Sequence, residues 1–224
     1  MEQHRSLTSL AHARIREMVL SGALPPGSRI QIDALRKSLD MGASPVREAL
    51  SILSSEQLVV RHEQRGFRAP DISAADFAIL LDTRCRVEGI AFTDAIRDGG
   101  AEWEERIVLL QYRLKSLDRN EDAGAWEIAH RDFHAALIAA CPSPYLLNFC
   151  KQLYDLAVRY RNIASVAAYP VRKIEDEHSL IAEAALARET DAAVGLLLDH
   201  YKKTGQFLFQ RLAEREDAAL KAAG

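Results

Sequence analysis

The chain has 224 residues, of which 48% are hydrophobic and 27% are charged, with a formal net charge of −3. These proportions are ordinary for a globular protein, and the length suffices for one large domain or two small ones. No apolar run approaches a membrane span, the N-terminus lacks the apolar core of a signal peptide, and the three cysteines (Cys85, Cys141 and Cys150) have no metal-type spacing, so we expect a cytoplasmic protein with reduced thiols and no membrane partner.

The charge is distributed unevenly along the chain. Lys and Arg outnumber Asp and Glu in residues 1–72, whereas acidic residues outnumber basic ones in the remainder. The N-terminal part is therefore the better candidate for binding a polyanion, because the rest of the chain would repel one.

The first 42 residues predict two helices joined by a rigid turn. Leu7–Leu20 carries apolar residues at helical spacing, and Ser21 and Gly22 end it. A second, short helix is predicted over Ile32–Leu39, and residues 40–42 turn the chain into the next element.

The stretch that follows, GASPVREALSILSS, predicts a helix with an outward-facing cation. Ser44 is the predicted N-cap and Pro45 the first helical residue, where the missing amide hydrogen of proline costs nothing. Arg47 lies opposite the apolar face in the first turn, where a cation is unfavourable because it opposes the helix dipole. We therefore interpret Arg47 as a contact for an external anion, such as a DNA phosphate or guanine edge.

A β-ribbon with a basic tip is predicted next. Residues 58–60 are β-prone, residues 62–66 form a turn with Gly66 where conformational freedom is needed, and residues 67–69 return. Isolated surface arginines such as Arg65 are usually solvated charges. Here the helix cap, the apolar periodicity and the basic turn agree, and together they predict a winged helix-turn-helix that binds double-stranded DNA.

From residue 73 onward the sequence predicts helices only. They are expected near residues 73–98, 102–118, 122–140, 143–167, 171–187 and 190–217. The fold class is therefore mainly α: a DNA-binding domain over residues 1–70, with three helices and a small β-ribbon, and an antiparallel helical bundle over residues 73–224.

Four of the seven histidines fall in this bundle, on three helices: His130, His134, His178 and His200. His130 and His134 are one helical turn apart, so their rings project from the same face, and that face is apolar. A single such histidine is more often a hydrogen-bonded core residue than a ligand. Four converging rings favour a transition-metal site, because imidazole suits zinc, nickel, copper, iron and manganese.

These motifs resemble the GntR family of bacterial transcription regulators. The resemblance is carried by the PVREAL segment, the RGF turn and the spacing of Ile15, Gly22, Leu24, Pro26 and Gly27 upstream. The bundle resembles the FCD effector-binding domain of the fatty-acid-regulator-like branch, through Arg84 and Glu88, the segment around His134, the Glu177-His178 pair and His200.

The resemblance implies a homodimer that binds a palindromic operator through Ser44, Pro45, Arg47, Arg65 and Gly66. It also implies control by a small carboxylate effector bound at a divalent metal, with zinc, nickel or manganese as the candidates. Arg84 is the expected effector contact, with a pair to Glu88 as the alternative, and Tyr160 is a further expected contact. Metal-binding relatives usually have Asp or Asn where this chain has His130, so an anionic ligand is expected to balance an all-imidazole site. The alternative is that His130 points away and the site is weaker.

Two other functions fit the histidines. One is direct metal sensing without an organic effector. The other is a metalloenzyme, which is disfavoured because the chain has no HExxH motif and Arg131 stands where a general base would be needed. We therefore expect a regulator and no catalytic residues.

Overall fold

A computed structural model of the protein describes residues 6–119, 121–164 and 174–223, without the side chains of residues 216, 217 and 219–223. This part of the chain forms nine α-helices and three short β-strands, which confirms the predicted mainly α fold with a small β-ribbon. Within it, no helix is both long enough and apolar enough to cross a membrane.

The N-terminal elements are three helices and a small antiparallel sheet. They are α1 (Leu7–Leu20), β1 (Arg29–Ile30), α2 (Ile32–Leu39), α3 (Ala43–Ser55), β2 (Val60–His62) and β3 (Gly66–Arg68). Strand β3 is central, and it pairs with both β1 and β2. The predicted bounds of α1 and α2 are confirmed, whereas the sequence does not predict β1, because two residues are too few to show an alternation.

The ribbon and the third helix begin at positions other than those predicted. Strand β2 starts at Val60 because the amides of Leu58 and Val59 bond to the Leu53 carbonyl, at 3.0 and 3.2 Å. The prediction that Ser44 caps α3 is wrong: the N-cap is Gly42, and Ser44 is already helical.

The remaining helices follow the predicted order with small changes in length. They are α4 (Ala74–Asp98), α5 (Ala101–Lys115), α6 (Ala123–Leu137), α7 (Pro144–Ile163), α8 (Ile174–Leu186) and α9 (Thr190–Ala223). Helices α5 and α6 end three residues earlier than predicted, since turns begin at residues 116 and 138. The predicted helical residues 165–167 and 171–173 lie outside the described residues.

The chain divides into two compact units. The first comprises Met1–Phe77, Tyr154–Ala167 and Leu208–Gly224, and the second comprises Ala78–Leu153 and Ala168–Phe207. The core of the first unit is formed by apolar side chains of α1 to α3 and of the sheet, including Ile15, Leu50, Leu53 and Phe67.

The second half of α7 packs within the first unit through polar contacts. Arg16 forms an ion pair with Asp155. The buried guanidinium of Arg159 donates to the carbonyl oxygens of Pro70 and Asp71, the latter at 3.3 Å. These bonds satisfy backbone acceptors in the segment that follows β3.

The second unit has its own aromatic and aliphatic core, which includes Phe92, Trp103, Phe133 and Leu197. Trp103 donates from Nε1 to the carbonyl oxygen of Ala136 at 2.9 Å, so its polar edge is satisfied. This core holds α6, α8 and α9 in the arrangement that positions the histidines.

Candidate nucleic-acid interface and metal centre

Helix α3 buries one face and leaves a cation on the other. Val46, Ala49, Leu50 and Leu53 are buried, whereas Arg47 is exposed in the first turn. The unpaired amides of that turn carry partial positive charge, which adds to the charge of the guanidinium. The exposed start of α3 is therefore suited to bind an anion such as phosphate.

The first turn of α3 is tied to the start of α1. Ser44 Oγ donates to Glu48 Oε1 at 3.2 Å, and Thr8 Oγ1 donates to Glu48 Oε2 at 2.8 Å. Pro45, in the same turn, is half-buried. The carboxylate of Glu48 thus fixes the two helices against each other. Sequence reasoning misses this contact, because Thr8 and Glu48 are forty positions apart.

The tip of the ribbon is basic and tightly turned. Arg61 and Arg65 are exposed, and Gly66 has a φ of +84°, a conformation that disfavours any residue with a Cβ. Arg68 has a different environment, because its Nε donates to the Gly27 carbonyl oxygen at 2.9 Å. All three arginines are exposed, and the bond to Gly27 restrains the guanidinium of Arg68.

The structure brings the four predicted histidines into one cluster. One ligand nitrogen from each of His130, His134, His178 and His200 lies within 4.8 Å of the others, and all four residues are buried. Helix α6 contributes two of the rings, while α8 and α9 contribute one each. Nε2 of His130 and Nε2 of His134 are 3.1 Å apart.

A chain of hydrogen bonds favours one tautomer of a neutral His134. The hydroxyl of Tyr201 donates its only hydrogen to Glu88 Oε2, and the same hydroxyl oxygen lies 3.1 Å from His134 Nδ1. His134 Nδ1 must therefore carry the hydrogen of that second bond. The lone pair of a neutral His134 is then on Nε2, the nitrogen nearest His130.

A carboxylate fixes His200 in the same way. Glu177 Oε2 lies 2.9 Å from His200 Nδ1 and, as a carboxylate, accepts its hydrogen. A neutral His200 then has its lone pair on Nε2. Glu177 precedes His178 in the sequence but contacts the histidine of another helix, so adjacency along the chain does not reveal this pairing.

The indole of Trp126 covers one face of the His130 ring. Trp126 stacks on His130, with ring centroids 4.7 Å apart and an interplanar angle of 17°. The guanidinium of Arg119 lies over the indole, 4.8 Å from its centroid. The stack restricts rotation of the His130 ring, and sequence reasoning finds its signal only in the four-residue spacing of Trp126 and His130.

The cluster is compatible with a divalent transition metal. Two nitrogens bound to one zinc ion at about 2.05 Å lie about 2.9 Å apart at a right angle and about 3.3 Å apart at a tetrahedral angle. The 3.1 Å between the Nε2 atoms of His130 and His134 falls between these values. Nitrogen donors whose second ring nitrogen is hydrogen-bonded, as in His134 and His200, are the usual form of such ligands.

The two expected effector contacts lie in different environments. Arg84 Nε donates to Glu88 Oε1 at 2.5 Å, both side chains are buried, and the guanidinium lies 3.9 Å from the centroid of the Tyr201 ring. The alternative pairing of Arg84 with Glu88 is thus present, and it adjoins the cluster through Tyr201. Tyr160 belongs to the first unit, where its hydroxyl donates to Asp76 at 2.5 Å, and its role as an effector contact stays a prediction.

Two family models match successive parts of the chain. Residues 7–68 match the model of the bacterial regulatory proteins of the gntR family, and residues 79–203 match that of the FCD domain. The chain is 35% identical over 206 residues to the uncharacterized HTH-type transcriptional regulator BphR of Paraburkholderia xenovorans (strain LB400), covering 89% of this chain and 84% of that protein. It is 32% identical over 204 residues to the HTH-type transcriptional repressor GlaR of Escherichia coli (strain K12), covering 87% and 93%.

A solved structure shares the fold. Escherichia coli McbR/YncC superposes with a TM-score of 0.78 at 21% identity, over 92% of this chain and 99% of that one. At that identity the likeness concerns architecture alone. On the matches of both segments, the chain belongs to the GntR family of bacterial transcription regulators with an FCD domain, and it is a DNA-binding transcriptional regulator rather than an enzyme.

Proposed function

We propose that this regulator binds its operator as a homodimer and that a small carboxylate, bound at a divalent transition metal in the histidine cluster, controls its operator affinity. The observation that carries the proposal is the convergence of four buried imidazoles from three helices within 4.8 Å. A protein that acts on the chromosome of a bacterium works in the cytoplasm, as expected from the sequence.

Each part of the proposed DNA interface has a distinct task. Arg47 reads a guanine edge or holds a phosphate from the start of α3, and the backbone of Ser44 and Pro45 approaches the DNA in the same turn. Arg65 at the ribbon tip binds the phosphate backbone or a groove beside it, and Gly66 permits the tight turn that presents it. Two such interfaces in a dimer match a palindromic operator.

The proposed effector site uses the cluster and its neighbours. His130, His134, His178 and His200 would hold the metal, with zinc, nickel or manganese as candidates. When bound, the metal supplies a positive centre with coordination positions for a carboxylate oxygen. Arg84, with its guanidinium beside Tyr201, is the proposed cationic contact of the effector. A contact from Tyr160 is proposed from the family resemblance alone. Ligand binding then shifts the population of states that bind DNA.

The experiment that tests this proposal compares metal content and operator binding. We expect purified protein to contain about one equivalent of transition metal per chain, and a chelator to abolish the thermal shift produced by small carboxylates. His134→Ala should lose metal and the carboxylate response while retaining operator binding. His12→Ala is the matched control, because His12 pairs with Glu56 outside the cluster. A fully metallated, responsive His134→Ala protein would remove the cluster from the proposal.

Metal sensing without an organic effector is a second candidate. It is favoured by the ion pair between Arg84 and Glu88, which engages the guanidinium expected to bind a carboxylate. The two candidates separate in one titration. Under metal sensing, metal alone changes operator affinity and no carboxylate adds to the effect, whereas under effector control the carboxylate is required.

A further inference from the structure

Two residues next to the histidine cluster, Glu177 and Tyr201, are bonded to the outer ring nitrogens of two of its members. We infer that Glu177 supplies, from behind His200, the negative charge that four neutral imidazoles do not provide to a divalent metal, and that Tyr201 fixes His134 in the tautomer that binds it. Both are positioning residues, and the inference rests on the proposed metal site.

The need for a nearby anion follows from the ligand set. Histidine binds metals as a neutral imidazole, so a site of four histidines leaves both charges of a divalent ion uncompensated. The four side chains are between 2% and 4% exposed, so water contributes little to stabilising that charge. A carboxylate hydrogen-bonded to the outer nitrogen of a ligand supplies part of that compensation.

Glu177 meets this need directly. Its Oε2 lies 2.9 Å from His200 Nδ1, a distance at which a carboxylate polarises the ring and increases electron density on Nε2. Its other oxygen lies 4.0 Å from Lys203 Nζ. Because Lys203 is 57% exposed, solvent screens the attraction between that cation and Glu177.

Tyr201, unlike Glu177, brings little net negative charge to its histidine. Its hydroxyl connects His134 Nδ1 to the carboxylate of Glu88, but Glu88 also pairs with Arg84, so the charges of Glu88 and Arg84 offset each other. The main effect of Tyr201 on His134 is therefore to set the direction of the hydrogen bond and not to supply charge. That bond places the hydrogen on Nδ1 and leaves the Nε2 lone pair for the metal.

Zinc affinity of the full-length, metal-free protein tests both assignments. Competition with a chelator of known affinity gives the Kd of Zn²⁺ for the wild type, Glu177→Gln and Tyr201→Phe. Loss of such a partner typically weakens metal binding by about 10- to 100-fold. We expect Glu177→Gln toward the upper end of that range and Tyr201→Phe toward the lower end. Glu183→Gln is the matched control, because Glu183 is an exposed carboxylate on the same helix as Glu177.

The inference is overturned if the zinc Kd of Glu177→Gln and Tyr201→Phe equals that of the wild type and of Glu183→Gln. An unchanged Kd together with a lower unfolding temperature of the metal-free variants would indicate a purely structural role. If the wild type itself binds no zinc, or binds it equally well as His134→Ala, the proposed metal site fails instead, so the two failures are distinguishable.

Discussion

Asn162, near the end of α7, donates a hydrogen bond of 2.9 Å from Nδ2 to the carbonyl oxygen of Leu20, the last residue of α1. The last carbonyls of a helix have no intrahelical amide, so this bond satisfies one of them. Arg215 does the same for α7, donating to the carbonyl oxygen of Ile163 at 3.2 Å. Segments that are distant in sequence thus complete the helix ends of the first unit.

Arg159 is expected to be a stability residue of that unit. It is 2% exposed, burial lowers the pKa of its guanidinium, and it donates to the carbonyl oxygens of Pro70 and Asp71. Arg159→Ala should reduce the free energy of unfolding by about 1–3 kcal/mol, because the hydrogen bonds of a charged, buried donor are lost. Chemical denaturation measures the change. Arg106→Ala, at an exposed position of α5, is the control and should stay within about 0.5 kcal/mol of the wild type.

Arg47 is expected to contribute to operator binding without contributing to the fold. Arg47→Ala should weaken binding by about 1–3 kcal/mol at the specific site if the guanidinium reads a base, because a bidentate contact is lost. If it holds a phosphate, the loss should be similar for all sequences, and the salt dependence should fall by about one counterion. Fluorescence anisotropy at several salt concentrations measures both quantities. Binding equal to that of the Arg106→Ala control would exclude Arg47 from the interface.

A substitution of Tyr160 distinguishes a role in stability from a role in effector binding. Its hydroxyl donates to Asp76 at 2.5 Å, its ring lies 5.0 Å from that of Phe77, and burial together with the Asp76 bond raises its pKa above the ordinary range. Tyr160→Phe should lower the free energy of unfolding by about 0.5–1.5 kcal/mol through loss of this bond, with zinc affinity unchanged. Calorimetric titration with a carboxylate that shifts the wild type completes the test, since a weaker Kd would support the proposed effector contact.

The cysteines should be unreactive while the protein is folded. All three are buried, and burial raises the pKa of the Cys150 thiol to about 12 and that of Cys85 above its ordinary value. Since the thiolate is the nucleophile, neither thiol should react measurably with iodoacetamide at neutral pH. Mass spectrometry after brief labelling should find no adducts in the native protein and three after denaturation. Rapid native labelling at Cys150 would contradict the packing of that residue.

The order and type of the helices could be predicted from the sequence, because apolar periodicity and the Gly and Pro residues between helices are local signals. Ser44 shows where such reasoning fails. A serine before proline is a frequent cap, but Gly42 takes the extended conformation, with φ −66° and ψ 165°, and the helix starts one residue before Ser44. Strand β1 depends wholly on pairing with β3, as in Ile30 with Phe67, and pairing across the chain leaves no local pattern.

The histidine cluster was predictable because each ring lies in phase with an apolar face of its own helix. Its hydrogen-bond partners were not. Glu177 and His200 are on different helices, as are Tyr201 and Glu88, and which polar side chains meet is decided by packing between helices. The expectation of an external anionic ligand stays a prediction, and the carboxylate of Glu177, in contact with His200, is a source of negative charge that it did not include.

The stack of Trp126 on His130 gives the protein a built-in optical signal. Only two tryptophans are present, and Trp103 is held by its own bond to the Ala136 carbonyl. Any change in the electron density of the His130 ring acts on an indole 4.7 Å away and therefore on its light emission. In Trp126→Phe a stacking ring is retained and that emission is lost. The difference in fluorescence between the wild type and this variant therefore reports the occupancy of the cluster in solution, without any attached dye.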